Sequence, residues 1–306
     1  MVFAPAPQLT VTIEQPADHV EIHVHPGGQG LWQARMLLCL GVPVVFCTSL
    51  GGELGQVLRP LIEAEGVDLR AVERGGTSGG YVHDRRAGHR EELADVAGHP
   101  LSRHEMDELY DLALAEGLRS SICLLSGPSD PSVIAPDLYR RLSADLTGNG
   151  ARVVADLSGG YLDAVLAGRP TLLKVSHEEL LEDGRAADAT EEALLGAMRR
   201  LRADGAGAVV VSRADHPALA LLDDEEVRVV APRMEAVDPR GAGDSMTAAA
   251  AAMLARGADL ATAVRTGAAA GALNVTRHGL GTGRADAIAT LTERVRLEPV
   301  RRRPTP

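Results

Sequence analysis

One lysine, one tryptophan and three cysteines are all that 306 residues provide of these types, and the scarcities exclude several classes. No Gly-Lys pair exists, so the G-x-x-x-x-G-K-[ST] loop of the P-loop enzymes is ruled out. Every cation apart from Lys174 is an arginine, a skew that, with the abundant Ala and Gly, reads as coding bias without functional content. Cys39, Cys47 and Cys123 form no C-x-x-C pair. They read as buried free thiols of a reducing compartment and not as a disulfide framework. A net charge of −11 lacks the basic face a nucleic-acid binder needs. "MVFAPAPQ" has neither the charged nor the apolar region of a signal peptide. The longest apolar run, Met36 to Thr48, is broken by Gly41 and Pro43 and is too short to span a bilayer. A cytoplasmic protein with neither nucleic acid nor membrane as partner is expected.

What is present is a chain with 45% apolar residues, enough for one large core. From about Arg119, β-branched runs ("SSICLLSG", "ARVVADLS", "TLLKVS", "AGAVVVSRA") alternate with helical stretches, and "VPVVFCTSL" after "LWQARMLLCLG" extends the pattern towards the N-terminus. Continuous apolar strands between amphipathic helices mean a parallel sheet covered on both faces. Two segments instead alternate apolar and polar residues at period two, with turns at "PAD" and "RAGHR". The expectation is a single α/β domain over 1–306, a doubly wound, mainly parallel sheet. A small antiparallel β-lid is formed by 9–26 and 68–94.

The strongest chemical signal is "DPRGAGDSMTAAAAAMLARG", Asp238 to Gly257. Amides at a helix start have no intrahelical partner and the helix dipole adds positive potential there. Glycines let an anion approach. Asp244, in the first turn, can take a proton from an alcohol attacking a phosphoryl group; its plainer role is an N-cap.

With this motif the chain resembles the PfkB, or ribokinase-like, carbohydrate kinases. Asp-x-x-Gly-Ala-Gly-Asp is their C-terminal signature, and Gly27-Gly28-Gln29-Gly30 is similar to their glycine loop. "KVSHEEL" and "NVTRHGLGTG" look like their metal-side and nucleotide-side segments, nearest the phosphofructokinase and tagatose-phosphate kinase branch. The resemblance implies an ATP- and Mg²⁺-dependent kinase acting on a small sugar-like substrate, and it leaves open a monovalent cation. Asp244 would be the base, and the amides of Gly241, Ala242 and Gly243 the anion hole. Lys174, Ser212, Gly279 and Gly281 would lie along the nucleotide. Glu179 and Ser176 would support Mg²⁺. Gln8, Gly27, Gly28, Gln29 and Trp32 would meet the substrate.

Several of these positions depart from the family pattern. Gln8 replaces a hydroxyl-binding Asp, Gln29 a loop lysine, Trp32 an asparagine and Ser176 another asparagine. Ala214 stands at a usual glycine, and Ser78 follows Thr77 where the phosphosugar branch has an arginine. Trp32 either stacks on a ring face or packs under the lid. Arg85, Arg86 and Arg90, in the lid, are candidate replacements for a lost phosphate clamp. A member that senses a ligand without catalysis is the alternative reading. Gly76 to Gly80 fits G-x-S-x-G, but "YVHDRR" after it reads as a strand and not the required helix. His19, His23 and His25 have no fourth metal ligand. "DDEE" (223–226) reads as a solvated hairpin turn, and "SGPSDP" (126–131) as a wall of the sugar cleft. Exposed lid edges point to a homodimer.

Overall fold

Continuous β-branched runs need cover on both faces, and helices supply it on either side of one sheet. The computed structural model describes residues 1–277 and 279–300; the frayed tail expected at 301–306 lies outside them. The chain begins with β1 (Val2–Phe3), β2 (Gln8–Glu14), β3 (Glu21–Gly27), α1 (Gln29–Cys39), β4 (Val45–Gly51), α2 (Gly52–Ala64) and β5 (Asp68–Arg74). β6 (Gly79–Asp84), β7 (Glu91–Val96), α3 (Arg103–Leu118), β8 (Cys123–Ser126), α4 (Pro136–Gly148), β9 (Val153–Asp156) and α5 (Gly159–Leu166) follow. Then come β10 (Leu172–Ser176), α6 (His177–Glu182), α7 (Glu191–Ala203), β11 (Val209–Arg213), β12 (His216–Leu222) and β13 (Glu225–Val230). α8 (Ala242–Ala255), α9 (Leu260–Asn274), α10 (Ala285–Thr292) and β14 (Arg296–Pro299) complete the described chain.

The main sheet has ten strands in the order β14-β13-β12-β11-β10-β9-β8-β1-β4-β5. Pairing is parallel from β5 to β11 and antiparallel beyond. One apolar core lies under α1, α2, α8, α9 and α10, and the other under α3 to α7. From β1 the chain builds outward first through β4 and β5, then back through β8 to β11. The reversal opens a crevice at the carboxyl ends beside β1, where ligands bind in such sheets.

The lid is a four-stranded sheet, β3-β2-β6-β7. Two expectations about it are corrected. Residues 68–74 are not lid but β5, the outermost main-sheet strand, paired with β4 from Val45↔Asp68 to Gly51↔Arg74. Its free edge leaves Asp68, Arg70 and Glu73 in water, so it carries a lid-like polar alternation. The central lid pair, β2 with β6, is parallel. Each belongs to a separate hairpin leaving the body in the same direction, so their leading strands run side by side.

A third correction concerns 223–226. Asp223, at φ +49°, turns the β12–β13 hairpin, but Glu226 is buried and held at 2.6 and 2.9 Å by the Arg199 guanidinium. Cys47 and Cys123 are buried and Cys39 half-buried, all free; burial pushes the Cys47 thiol up to about 12 and the Cys123 thiol up to about 11. Among the described residues no helix is long and apolar enough to cross a membrane.

Candidate active site

The crevice is floored by the last residues of adjacent strands: Ser126 of β8 beside Asp156 of β9, Lys174 of β10 beside Asp156, and Ser176 beside Ser212 of β11. Above them stands the start of α8. Its seat is fixed by close packing on α9, where a Cβ on Gly267 would lie 2.6 Å from the Met246 carbonyl and one on Gly271 3.0 Å from that of Ala242. Asp238 accepts from the Arg240 amide at 3.1 Å and turns the chain into Gly241. Gly241 is the N-cap in the left-handed region at φ 70°. The amides of Ala242 and Gly243 therefore open the helix without intrahelical partners.

Lys174 lies directly beneath this turn. A Cβ on Gly243 would sit 2.6 Å from its Nζ, so backbone and ammonium approach closely here and a side chain at 243 would displace the lysine head. Nζ donates to Asp156 Oδ1 at 3.2 Å, with both side chains buried. Burial works against the lysine charge, but Asp156 and Asp244 outweigh it and hold Lys174 above the ordinary lysine value. Asp244 is also buried. Burial, then the charge of Asp156, raise its carboxyl; Lys174 and a hydrogen bond from Gln29 oppose, and it reaches about 7. Such a group is a strong enough base to take an alcohol proton near neutrality.

The network continues into Asp156, Gln33 and Thr247, which sequence reasoning missed, and joins them to Ser126 and Gln29, which it had named. Asp156 Oδ2 accepts from Thr247 Oγ1 at 2.7 Å and Gln33 Nε2 at 3.2 Å. Gln33 Oε1 accepts from Ser126 Oγ, and both side chains are fully buried. Gln29, one turn before Gln33 on α1, accepts at Oε1 from the Gly127 amide at 2.8 Å. Glutamines facing an apolar sheet, and an aspartate closing the apolar strand "ARVVAD", were the available signals.

Gln8, Gly27 and Gly79 sit side by side in register at the base of the lid. Gln8 Nε2 reaches Asp95 Oδ1 at 3.4 Å. Gly28, at φ 109°, lies against Ser129, placing the "SGPSDP" loop next to the glycine loop. Trp32 is half-buried, and its carbonyl abuts Gly281. Gly279 accepts from Thr282 Oγ1 at 2.7 Å, and the Gly281 amide donates to Asn274 Oδ1 at 3.0 Å. Asn274 Nδ2 in turn donates to the Arg240 carbonyl at 2.7 Å, tying this segment to the α8 turn. Ala214 keeps a left-handed φ of 46°, the conformation a glycine would take.

Gly281 combines φ 67° with space for no side chain, since its Cβ would meet the Trp32 carbonyl oxygen at 2.1 Å. Gly281→Ala is expected to cost about 2–4 kcal/mol, adding left-handed strain to overpacking. An unchanged urea midpoint would show that the loop relaxes freely.

Ser176 and Glu179 are brought together as the capping box of α6. The Glu179 amide donates to Ser176 Oγ at 3.1 Å and the Ser176 amide to Glu179 Oε2 at 2.7 Å. Oε1 remains for a hydrated cation. Among the described residues no three His, Cys, Asp or Glu side chains group to hold a metal alone, but Mg²⁺ carried by nucleotide phosphates keeps its waters and needs few protein ligands. His19 and His23 both bond Glu21, at 2.7 and 3.1 Å.

Comparison with known proteins matches residues 8–287 to the pfkB family carbohydrate kinases. The chain is 31% identical over 249 residues to the ATP-dependent 6-phosphofructokinase isozyme 2 of Mycobacterium tuberculosis, covering 81% of this chain and 73% of that one. It is 30% identical over 258 residues to the Escherichia coli isozyme 2, covering 83% and 82%. The potassium-bound structure of E. coli phosphofructokinase-2 superposes with a TM-score of 0.83 at 25% identity, over 96% of this chain and 97% of that one. The E. coli enzyme has also been solved with fructose-6-phosphate and in a tetrameric inhibited form.

Proposed function

Because the chain belongs to the pfkB family of carbohydrate kinases, we propose that it transfers the γ-phosphoryl group of ATP to a hydroxyl of a small sugar or sugar-like acceptor, with Asp244 as the base. One observation carries this reading: a buried carboxyl raised to about 7 stands in the first turn of a helix whose opening amides are unpartnered. The acceptor enters between the glycine loop and the lid, and its hydroxyl proton passes to Asp244. The amides of Gly241, Ala242 and Gly243 receive the charge on the transferring phosphoryl. Lys174 beneath Gly243 adds a fixed positive charge. Ser212, Gly279 and Gly281 border the nucleotide side, and Glu179 is the residue to hold Mg²⁺ through water. The metal, when bound with ATP, neutralises phosphate charge. A potassium requirement belongs to the same reading, supported by the potassium-bound relative.

The test is an ADP-release assay with MgATP over free sugars, polyols, sugar phosphates and nucleosides, with Asp244→Asn alongside. Tight ligand binding with no phosphoryl transfer would favour the sensor reading, which the substitutions at Gln8, Gln29, Trp32 and Ser78 motivate.

We further propose a homodimer through the lid. By register, Ile22, Val24 and Val96 share one face with Val11 and Val82. Ile22 is 66% exposed, while Thr12 and His83 on the other face are buried. An apolar face turned to water seeks a partner, and a tetramer is known for the E. coli relative. Sedimentation should give a dimer, and Ile22→Lys with Val24→Lys a monomer. A parent that stays monomeric at micromolar concentration would reject this interface.

A further inference from the structure

Resting on the kinase reading above, we infer that the acceptor is an uncharged polyhydroxyl compound, a free sugar or polyol, and not a sugar phosphate. A dianionic phosphate entering a closed cleft needs cations that are not already matched. On the covered face of the lid and the loop opposite, all of them but Arg90 are matched. Arg85 contacts Glu14 at 3.1 Å and Asp238 at 3.6 Å. Arg240 forks the same Asp238. Arg86 is held by Asp84, and Lys174 by Asp156. The lid histidines do not compensate: burial, then Arg90, Arg85 and Arg240, push His83 down to about 4, and burial lowers His25 as well.

Position 78, where the resemblance places a lid arginine, has become a structural brace. Ser78 is 2% exposed. Its Oγ accepts from the Gly51 amide at 3.1 Å while its own amide donates to the Gly51 carbonyl at 2.9 Å. Gln29, in the loop-lysine position, is neutral and engaged with Gly127. What the cleft does offer suits hydroxyls. Gln8 and Asp95 meet at 3.4 Å, a distance at which each keeps capacity for another partner, and Ser129 lies beside Gly28. Asp95 would itself repel a phosphate.

Arg90 is the one lid arginine with no carboxylate partner among the described residues; its guanidinium lies 4.5 Å over the Tyr81 ring. It therefore enters the test. ADP release is measured with free hexoses, pentoses and polyols against hexose 1- and 6-phosphates, at low and high salt. Acceptor binding without ATP is followed calorimetrically with the same compounds. The expected result is a kcat/KM about 100-fold higher for a neutral acceptor. That value should be insensitive to salt and unchanged in Arg90→Ala. Turnover or binding confined to a phosphosugar, falling with salt and lost in Arg90→Ala, would overturn the inference while leaving the kinase intact. No transfer to either class, with the parent indistinguishable from Asp244→Asn, would bring down the kinase reading itself. Calorimetric preference for a phosphosugar would then still count against a neutral ligand.

Discussion

Asp244→Asn is expected to lower kcat by about 10³-fold or more, the scale set by loss of a general base. The amide keeps the size and place of the carboxyl but cannot take the acceptor proton. In the parent, kcat/KM should rise with pH along a limb centred near 7, because the carboxyl is raised to about 7 and works only when ionised. Asp156 contributes to that rise, so Asp156→Asn should move the limb to lower pH while its loss of Lys174's partner depresses the plateau. The stability consequence has the opposite sign. A carboxyl whose folded pKa is raised costs the folded state stability as pH climbs from the ordinary range of about 4 through 7. Asp244→Asn removes that cost, so its melting temperature at pH 8 should equal or exceed the parent's. Near-parental turnover in Asp244→Asn would remove Asp244 from the chemistry. A melting temperature that drops at pH 8 but not at pH 5 would show that the carboxylate instead holds the fold.

Lys174→Met should be the most destabilising of the conservative changes. It leaves Asp156 and Asp244 buried with no cation between them, and breaking a buried pair from one side costs about 3–5 kcal/mol. Without Lys174 both carboxyls shift further upward, so the loss grows as pH rises through 7 and shrinks at pH 5, where they take protons. Urea unfolding at the two pH values reads this difference. Equal losses at both would mean that Lys174 contributes packing and not charge. Turnover should fall as well, since the fixed charge beneath Gly243 goes with it.

Both predictions draw on residues of unequal legibility. "DPRGAGD" is a local pattern: glycines, a turn and a helix start are adjacent in sequence, so the α8 end of the site could be read directly. Asp156, Gln33 and Thr247 are separated by long stretches and meet only because β9, α1 and α8 converge at one end of the sheet. "SHEE" satisfies the helix-cap pattern S-x-x-E as fully as a metal-side motif, and the capping box is where the side chains are found. The main-sheet strands were legible from unbroken apolar runs. β5 was not, because period two marks one wet face and does not say which sheet owns the other. The family is borne out by comparison across residues 8–287.

Burial of the sole lysine has a practical consequence. With Lys174 only 7% exposed under the α8 turn, the folded chain presents no accessible ε-amine. Acylating reagents, lysine cross-linkers and lysine-directed tagging enzymes would therefore meet no side-chain target on its surface. A slow appearance of label at Lys174 would time the opening of the site itself, with no background from other lysines.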